Sequence, residues 1–557
     1  MISPGQTCRC DVLIVGGGLA ACMAALEASK RGVDVVLVDK GRLGRSGSSP
    51  TSGGVPQAAF AHADPRDSKE AHFRDTIIGG DYIPHQKIVR AVVSEITDRI
   101  IELEEIGLRF KKTADGKFYQ EKRLGSSFAR SVPPIGGSVR VMGMLRKEVF
   151  NREVAVHQWT MITRLFTDRG RVTGALGVNV QTGETRLYEA RAVILAAGSA
   201  VALQKYTSAN FQTTGDAYVA AFDAGAELAN LEFLEFTLIP APKGITIPMA
   251  GLSPFTSKGG RFLNAAGERF LEKYDPERLE GTTRAILVQA AYKEMLAGHG
   301  PVSIDPSFIP DEKWDEEIQY EYAPKLSAAG IDCRRDRFEW VPALHTFLGG
   351  IFVNERCESR VPGLFAAGES ATGMHGSNRL SGNAIASCMV LGARSGKSAA
   401  LFAAGSEPGR VDPSEVADEL SRIESFRGDG GLDPYGVERE IKNLAWESAG
   451  VVRNEKGLRA GIAGFEEIWH EKMRRVKATD QRGWVKALEC RNLARVGEMV
   501  TRSALERRES RGQHYREDYP SREKGLPKWV KISGDGERIR CTVVPIPFEE
   551  GDLVPKE

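Results

Sequence analysis

Residues 11–40 read DVLIVGGGLAACMAALEASKRGVDVVLVDK and predict a strand, a helix and a second strand. The apolar run 11–15 is typical of a buried strand, and a second apolar run over 33–40 contains Asp39 near its end. Three glycines at 16–18 lie between the first strand and a helix that we expect to end at Gly32. Because two parallel strands need such a crossover, this segment favours an α/β fold.

The turn between the first strand and the helix has the spacing Gly16-x-Gly18-x-x-Ala21. Glycines let a backbone turn tightly and approach a pyrophosphate, and the helix N-terminus offers free N–H groups to it. Asp39 follows Gly18 by 21 residues, a spacing that suits an acid on a ribose hydroxyl. The unit predicts a dinucleotide-binding domain, and a plain glycine-rich turn is the alternative.

The composition excludes several classes of protein. The 557 residues include 75 Lys and Arg against 74 Asp and Glu, so a nucleic-acid binder and a polybasic membrane anchor are both disfavoured. The longest apolar run, 12–26, contains three glycines and is shorter than the roughly 20 residues of a spanning helix. Eight scattered cysteines indicate a reducing compartment and have no spacing suited to an iron–sulfur cluster. We expect a cytoplasmic protein that reaches a membrane only through a partner.

The rest of the chain divides into further regions. A β-rich meander over 154–198 returns to an apolar strand before Gly198, which is typical of a domain that closes over FAD, and residues 68–110 read as helical. Mixed loops and short helices interrupt the pattern over 231–344. Two Asp-Pro helix starts, at Asp412 and Asp433, open a helical region. We therefore predict a Rossmann-like FAD-binding domain (1–230 and 345–405), an inserted α+β capping domain (231–344), a helical domain (410–510) and a tail (511–557).

Eight motifs occur in this chain in the same order as in a known family. The chain resembles the succinate dehydrogenase/fumarate reductase flavoproteins, whose superfamily includes L-aspartate oxidase and the adenylylsulfate reductase α-subunit. The motifs are, in chain order, GGGLAACMAALEA, LVDKGRLGRSG, HFRDTIIGGDYI, GDAYVAAFDAGAELANLEF, HTFLGGI, GLFAAGES, HGSNRLSGN and RSALERRESRGQHYREDYP. They cover nearly the whole chain.

The resemblance implies an FAD site. Asp216 and Glu369 match acidic FAD contacts, and residues 383–385 match a segment that caps the flavin with its backbone. In the membrane-complex members a histidine is joined covalently to FAD, and this chain has Gly47 there, which implies noncovalent FAD. The implied cofactor residues are Gly16, Gly18, Leu19, Ala20, Ala21, Asp39, Lys40, Ser46, Gly47, Gly54, Gly198, Asp216, Glu369, Asn383, Ala384 and Ile385.

The resemblance also implies three catalytic residues. Arg284 matches the arginine that delivers a proton to the substrate, and His345 and Arg379 match the pair that holds a substrate carboxylate. A guanidinium offers a fixed fork to a carboxylate, and both groups would withdraw electron density from an adjacent C=C bond. Taken alone, His345 is better interpreted as a structural histidine and Arg284 as a surface helix arginine, and the ordered motifs favour the functional interpretation of both.

Two departures from the family pattern concern the residues that bind the second carboxylate of a dicarboxylate substrate. The family stretch EFxQxHPT reads EFLEFTL over 232–238, so Thr237 stands where a dicarboxylate-binding histidine is expected, and nothing nearby in the sequence replaces it. The family stretch TEGxRGEGG reads LSPFTSKGG over 252–260, which removes the residues that feed protons to the catalytic arginine. Lys258 is either a substitute or a solvated loop lysine.

The sequence therefore predicts an FAD-dependent oxidoreductase that acts on the C=C or CH–CH bond of a carboxylic acid other than plain fumarate or succinate. The alternatives are an electron-transfer flavoprotein subunit of a larger complex or an adenylylsulfate-reductase-like α-subunit. We expect the electron partner to be a separate iron–sulfur subunit, although direct reaction with O₂ is an alternative. The charged segment 508–518 reads as a docking surface or as a solvated ion-pair network.

Overall fold

A computed structural model describes residues 5–123, 125–247, 253–256, 258–314, 318–534 and 537–555. The strands are β1 Gln6–Val15, β2 Val35–Asp39, β3 Ala155–Gln158, β4 Thr160–Asp168, β5 Arg171–Asn179, β6 Thr185–Leu195, β7 Leu228–Ala229, β8 Leu234–Pro240, β9 Arg261–Leu263, β10 Val302–Asp305, β11 Phe338–Phe347, β12 Gly350–Ile351, β13 Leu364–Ala366, β14 Lys528–Gly534 and β15 Ile539–Pro545. The α-helices are α1 Leu19–Ser29, α2 Lys69–Gly79, α3 Gln86–Glu105, α4 Gly137–Asn151, α5 Asp216–Asp223, α6 Ser253–Thr256, α7 Leu271–Tyr274, α8 Arg284–Leu296, α9 Ala323–Ala328, α10 Asn383–Ala404, α11 Pro413–Glu424, α12 Pro434–Ala449, α13 Glu455–Glu467 and α14 Gln481–Glu506.

The central sheet confirms the predicted strand–helix–strand unit. Its strand order is β3-β2-β1-β6-β5-β4, and β13 also pairs with β6. Strands β1, β2, β3, β6 and β13 pair with one another in parallel, with Val12 opposite Val35 in the first pair. The meander β4–β5–β6 is antiparallel. The α/β class, with a C-terminal helical region, is therefore confirmed.

Helix α10 packs directly against α1 beside the central sheet. Gly396 permits this contact, because a Cβ there would lie 2.2 Å from the carbonyl oxygen of Ala24. The faces of α1 and α10 that meet are fully or nearly fully buried. The first and the later halves of the FAD-binding region are thus joined into one core, although more than 300 residues separate them in the sequence.

A second sheet is built mainly from the region that we predicted as an insertion. It has the order β8-β11-β10-β9, and all of its pairs are antiparallel. Helix α8 begins after the N-cap Thr283, whose side chain accepts a hydrogen bond from the backbone N–H of Ile286 at 3.4 Å. Strand β11 crosses the predicted boundary at residue 344, so this sheet continues into the returning FAD-binding segment.

The C-terminal regions confirm some predicted elements and correct others. Asp412 and Asp433 are the N-caps of α11 and α12, as the Asp-Pro pairs predicted. The predicted helical region 68–110 consists of two helices, because positive φ angles at Asp81 and Tyr82 separate α2 from α3. The tail forms the hairpin β14–β15, which pairs with β7 in a third sheet of order β12-β7-β14-β15.

The charged segment 508–518 is largely buried, so both predictions of a solvated surface were wrong. Glu509 accepts hydrogen bonds from Arg507 at 2.9 Å and from Arg511 at 2.8 Å, and all three side chains are at most 8% exposed. His514 lies 2.8 Å from the guanidinium of Arg453. Buried charges of both signs satisfy one another here, which explains why a polar sequence can pack inside the protein.

No helix in the described part of the chain combines the length and the apolar character needed to cross a bilayer.

Candidate active site

A cleft with about 880 Å³ of empty space lies at the carboxyl ends of β1 and β2. Gly16 directly follows β1, and Asp39 ends β2, so the parallel pair delivers both residues to the same edge of the sheet. Eleven of the predicted cofactor residues line the cleft: Gly16, Gly18, Leu19, Ala20, Asp39, Lys40, Ser46, Gly47, Gly198, Asp216 and Glu369. The remaining five, Ala21, Gly54, Asn383, Ala384 and Ile385, are not on its wall.

The glycine turn brings the backbone close to the next elements. Gly16 has φ +123°, and a Cβ there would lie 2.2 Å from the carbonyl oxygen of Ala196. A Cβ at Gly17 would lie 2.2 Å from a carboxylate oxygen of Asp39. Only glycine fits these positions, and backbone N–H groups at the start of a helix suit a pyrophosphate. At the start of α1 the N–H of Leu19 donates to the Ser49 hydroxyl at 3.0 Å.

Asp39 is buried at the wall of the cleft. Its Oδ2 accepts a hydrogen bond of 2.9 Å from the Ser46 hydroxyl. Burial raises the pKa of the Asp39 carboxyl, which the hydrogen bonds from Ser46 and from the backbone oppose. The hydrogen bond from Ser46 holds the carboxyl in place at the wall of the cleft.

Lys40 and Asp216 form one ionic cluster at the other side of the cleft. The Lys40 ammonium donates to Asp216 Oδ2 at 2.8 Å, to Thr214 Oγ1 at 2.7 Å and to Glu489 of α14 at 3.2 Å. Burial lowers the pKa of Lys40, but Asp216 and Glu489 outweigh it and the net direction is upward. Asp216 makes no capping bond at α5, whose N-cap is Gly215. The cluster ties the cleft to the helical region.

The five residues outside the cleft have structural contacts of their own. Ala21 is fully buried in α1, and Gly54 has φ +67° and lies against the backbone of Ser138. The Asn383 side-chain oxygen lies 2.8 Å from His72 Nε2, and its amide nitrogen donates to Thr76 at 3.0 Å. No side chain in the described parts of the chain caps α10, and of its first three backbone N–H groups that of Asn383 donates to the carbonyl oxygen of Leu380 at 3.2 Å. Their roles toward FAD stay predictions.

His72, which holds Asn383, gives a prediction for the pH dependence of stability. Burial lowers its pKa to about 4, against an ordinary 6.5, so below about pH 6.5 the unfolded chain binds the additional proton. We expect the His72 contribution to the free energy of unfolding to fall by about 2 kcal/mol between pH 7 and 5. Urea titrations of the protein and of His72→Gln at both pH values measure it, and an unchanged difference between the two proteins would contradict it.

The structure brings the three predicted catalytic residues together around Glu235 of β8. Glu235 Oε1 accepts a hydrogen bond from Arg284 Nη1 at 2.7 Å. Its Oε2 accepts from Arg379 Nη2 at 2.8 Å and from Nε at 3.0 Å. The exposed fractions of the three side chains are 1% for Glu235, 8% for Arg379 and 19% for Arg284. Two guanidinium groups, both largely shielded from solvent, therefore meet at one buried carboxylate.

Glu235 is a site residue that the sequence interpretation missed. Burial would raise the pKa of its carboxyl, but Arg379 and Arg284 outweigh burial and lower the pKa to about 2, so the group is ionised. The signal was visible in the stretch EFLEFTL, where an acid stands at the glutamine of the family pattern. Glu235 is an acid, so it does not replace the carboxylate-binding histidine of the family pattern, whose position is Thr237.

His345 reaches the same place through an irregularity of its strand. The pairing of β11 with β8 shifts between Leu344 and Thr346, which leaves His345 as the additional residue of a bulge. Its Nδ1 lies 2.7 Å from the Ser208 hydroxyl, so Nε2 is the ring nitrogen that remains for a ligand. Burial lowers the pKa of His345 to about 3, so the imidazole is neutral.

Arg284 occupies an unusual position for a cation. It is the first residue of α8, where the helix dipole is positive and disfavours a positive charge. Burial lowers the pKa of its guanidinium, and the pairing with Glu235 partly offsets this. A lowered pKa makes Arg284 a better acid than a solvated arginine.

The part of β8 next to Glu235 differs from the family pattern. Thr237 is buried two residues after Glu235, on the same face of β8. His375 faces the charges of Arg379 and Glu235, and burial lowers its pKa to about 3. His375 begins the motif HGSNRLSGN that also contains Arg379, and it was not among the predicted site residues. Of the stretch 252–260, Leu252 and Ser257 lie outside the described residues.

Glu369 connects the cleft to the strand that carries His345. Its Oε1 accepts hydrogen bonds from the Ser199 hydroxyl at 2.6 Å and from the backbone N–H of Phe347 at 3.3 Å. Phe347 lies two residues after His345 in β11. The cleft at β1 and the site around Glu235 therefore share one wall.

Comparison with known protein families gives two matches. The family "FAD binding domain" matches residues 11–385, which is more than half of the chain. The family "Fumarate reductase flavoprotein C-term" matches residues 438–539. The first match covers most of the central sheet and of the cleft, and the second covers the later part of the helical region.

Individual proteins are similar over nearly the whole chain. A fumarate reductase (CoM/CoB) subunit of Methanothermobacter marburgensis is 35% identical over 537 residues, which cover 94% of this chain and 96% of the relative. A structure of E. coli quinol fumarate reductase FrdA superposes with a TM-score of 0.91 at 25% identity and covers 99% of both chains. Adenylylsulfate reductase from Archaeoglobus fulgidus, at 21% identity and a TM-score of 0.78 over 98% of this chain and 97% of its own, shares the fold.

Proposed function

The chain belongs to the fumarate reductase/succinate dehydrogenase family of FAD-dependent flavoproteins, and from this premise we propose that it moves hydride to or from the C=C or CH–CH bond of a carboxylic acid. The main support for this proposal is that Arg284 and Arg379 both form ion pairs with the buried carboxylate of Glu235. Two guanidinium groups that come from separate elements and are largely shielded from water suit an anionic substrate and a proton transfer.

Arg379 and His345 hold the substrate carboxylate in this proposal. Two of the Arg379 nitrogens are bound by Glu235, and Nη1 remains for the substrate. His345 adds a hydrogen bond through Nε2, because Ser208 occupies Nδ1. Both contacts withdraw electron density from a C=C bond next to the carboxylate.

Arg284 delivers or accepts the proton at the carbon that does not exchange hydride. Its guanidinium has a pKa that burial lowers, and Glu235 keeps it oriented from 2.7 Å. FAD, when bound, supplies the hydride donor or acceptor. The residues of the glycine turn, with Asp39 at the ribose, suit its adenosine diphosphate half, and the cleft wall at Glu369 leads to the substrate site.

We propose noncovalent FAD, because Gly47 lines the cleft and has no nucleophilic side chain. We also propose that the substrate is an acid other than plain fumarate or succinate. Thr237 supports this, since a buried hydroxyl replaces the histidine of the family pattern that holds a second carboxylate.

A separate iron–sulfur subunit is the proposed electron partner. The relative from M. marburgensis is named as one subunit of its enzyme, and so is the succinate dehydrogenase flavoprotein of Coxiella burnetii, which is 28% identical over 556 residues. The eight cysteines of this chain are all unpaired thiols, and they are scattered through the fold. Electrons would enter or leave through the partner.

A flavin reoxidation screen tests the proposed function. We expect the dithionite-reduced holoprotein, under anaerobic conditions, to be reoxidised by at least one α,β-unsaturated monocarboxylic acid faster than by fumarate, as followed by flavin absorbance. Arg379→Gln should lower kcat/KM for that acid by about a hundredfold or more, because a shielded charged contact to the carboxylate is lost. Fumarate as the fastest oxidant, or an unaffected Arg379→Gln variant, would contradict the proposal.

A further inference from the structure

The residues that face the substrate site have too little net positive charge to neutralise a substrate with two negative charges. Among the described residues around Glu235, the cations are Arg284 and Arg379. His345 and His375 lie beside them, and both are neutral because burial lowers the pKa of each to about 3; Thr237 carries no charge. Glu235 cancels the charge of one arginine, and Glu369, which also interacts with Arg379, adds no positive charge, so at most a single positive charge is left for the substrate.

Glu235 is also placed to limit what Arg379 can bind. Its carboxylate takes the Nε and Nη2 edge, which is one of the two edges at which a guanidinium can bind a carboxylate in the bidentate manner. The remaining Oε1 holds Arg284. Each arginine can therefore offer to a ligand only the N–H groups that Glu235 does not bind.

A strand position fixes this arrangement. Glu235 lies opposite Thr346 in the β8–β11 pair, next to the bulge that carries His345. The side chain is 1% exposed, so water does not screen its charge from a neighbouring ligand. A buried charge that is shared by two fixed guanidinium groups has no room to swing away when the substrate enters.

We propose that Glu235 determines the specificity of the site by acting as an internal counter-ion, which cancels one arginine charge and selects acids with one carboxylate over acids with two. This inference rests on the proposed function, because it assumes that the site around Arg379 binds the substrate. A second carboxylate would enter a place where a fixed negative charge already lies, and no second cation among the described residues there compensates it.

Crotonate and fumarate test the proposal as a matched pair. Both are four-carbon trans-2-enoates, and they differ in whether the last carbon is a methyl group or a carboxylate. Dissociation constants for the oxidised holoprotein, measured by calorimetry, need no turnover. We expect the protein to bind crotonate more tightly than fumarate, and Glu235→Gln to shift the ratio of the two constants toward fumarate by about tenfold or more.

Three variants separate charge from shape. Glu235→Asp keeps the charge and should keep the preference for crotonate. Glu339→Gln removes one negative charge from β11 away from the site and should leave the ratio unchanged. If Glu235→Gln loses its flavin during purification, Glu235→Met supplies a second neutral side chain of similar length for the same titrations.

The outcomes distinguish this inference from the proposed function. The role of Glu235 is overturned if, in the neutral variants, the ratio of the crotonate and fumarate dissociation constants stays within about twofold of the parent value or moves further toward crotonate. The proposal that the site binds the substrate is unaffected by that result. If neither acid binds and no organic acid reoxidises the flavin, the proposed function fails and this inference fails with it. A shift of the ratio toward fumarate with flavin retained supports the inference.

Discussion

Arg284→Gln is expected to lower kcat for the organic acid by about a hundredfold to ten-thousandfold, the usual contribution of a positioned general acid. Arg284 lies at the start of α8 with a guanidinium pKa that burial lowers, and Gln keeps a hydrogen-bond donor for Glu235 without supplying a proton. Since Arg379 and His345 still hold the carboxylate, KM should change far less than kcat. Steady-state kinetics of the two proteins measure both quantities.

Two controls accompany this variant. Arg278→Gln removes an arginine from the same region that is about half exposed and paired with Asp275, so it should keep kcat within about twofold. Chemical reduction of the flavin by dithionite should proceed in Arg284→Gln as in the parent protein. An unchanged kcat in Arg284→Gln would indicate that the chain only carries electrons and that the acid is transformed elsewhere.

Gly16→Ala is expected to abolish FAD binding, with a loss of affinity of at least about a hundredfold. An added Cβ would lie 2.2 Å from the carbonyl oxygen of Ala196, and the backbone at φ +123° is one that alanine rarely adopts. The turn between β1 and α1 must therefore move away from the cleft or the local fold must break. Flavin content after purification and titration of the apoprotein with FAD measure the effect.

Gly32→Ala is the matched control for this prediction. Gly32 also has a positive φ, +68°, but nothing lies within 4 Å of an added Cβ, and it is at the far end of α1. The substitution should cost about 1–2 kcal/mol of stability and leave FAD bound. If both variants kept their flavin equally well, the tight approach at Gly16 would be unimportant for the cofactor.

The cofactor half of the molecule was largely predictable from the sequence, because its signals are local. The spacing from Gly16 to Ala21, the apolar strands on either side and Asp39 all belong to one continuous segment, and the structure has that unit. Helix starts at Asp412 and Asp433 were predictable for the same reason, since an N-cap bonds to residues two or three positions away.

The substrate half was predictable only in part. The identities of Arg284, His345 and Arg379 followed from motifs, but their distances to one another depend on how β8, β11 and α8 pack. Glu235 was missed because its importance lies in two contacts across 49 and 144 residues of sequence. The burial of segment 508–518 was missed because its charged composition describes a surface unless the partners of each charge are known.

The sequence by itself determined the α/β fold, the dinucleotide turn and the three residues proposed for chemistry, because strand periodicity, glycine spacing and ordered motifs are short-range patterns. Only the tertiary structure decided that Glu235 joins Arg284 to Arg379 and that His345 enters through a bulge. The physical reason is that the charge of a buried site is a sum over groups from distant segments, and a sequence does not state which of them meet.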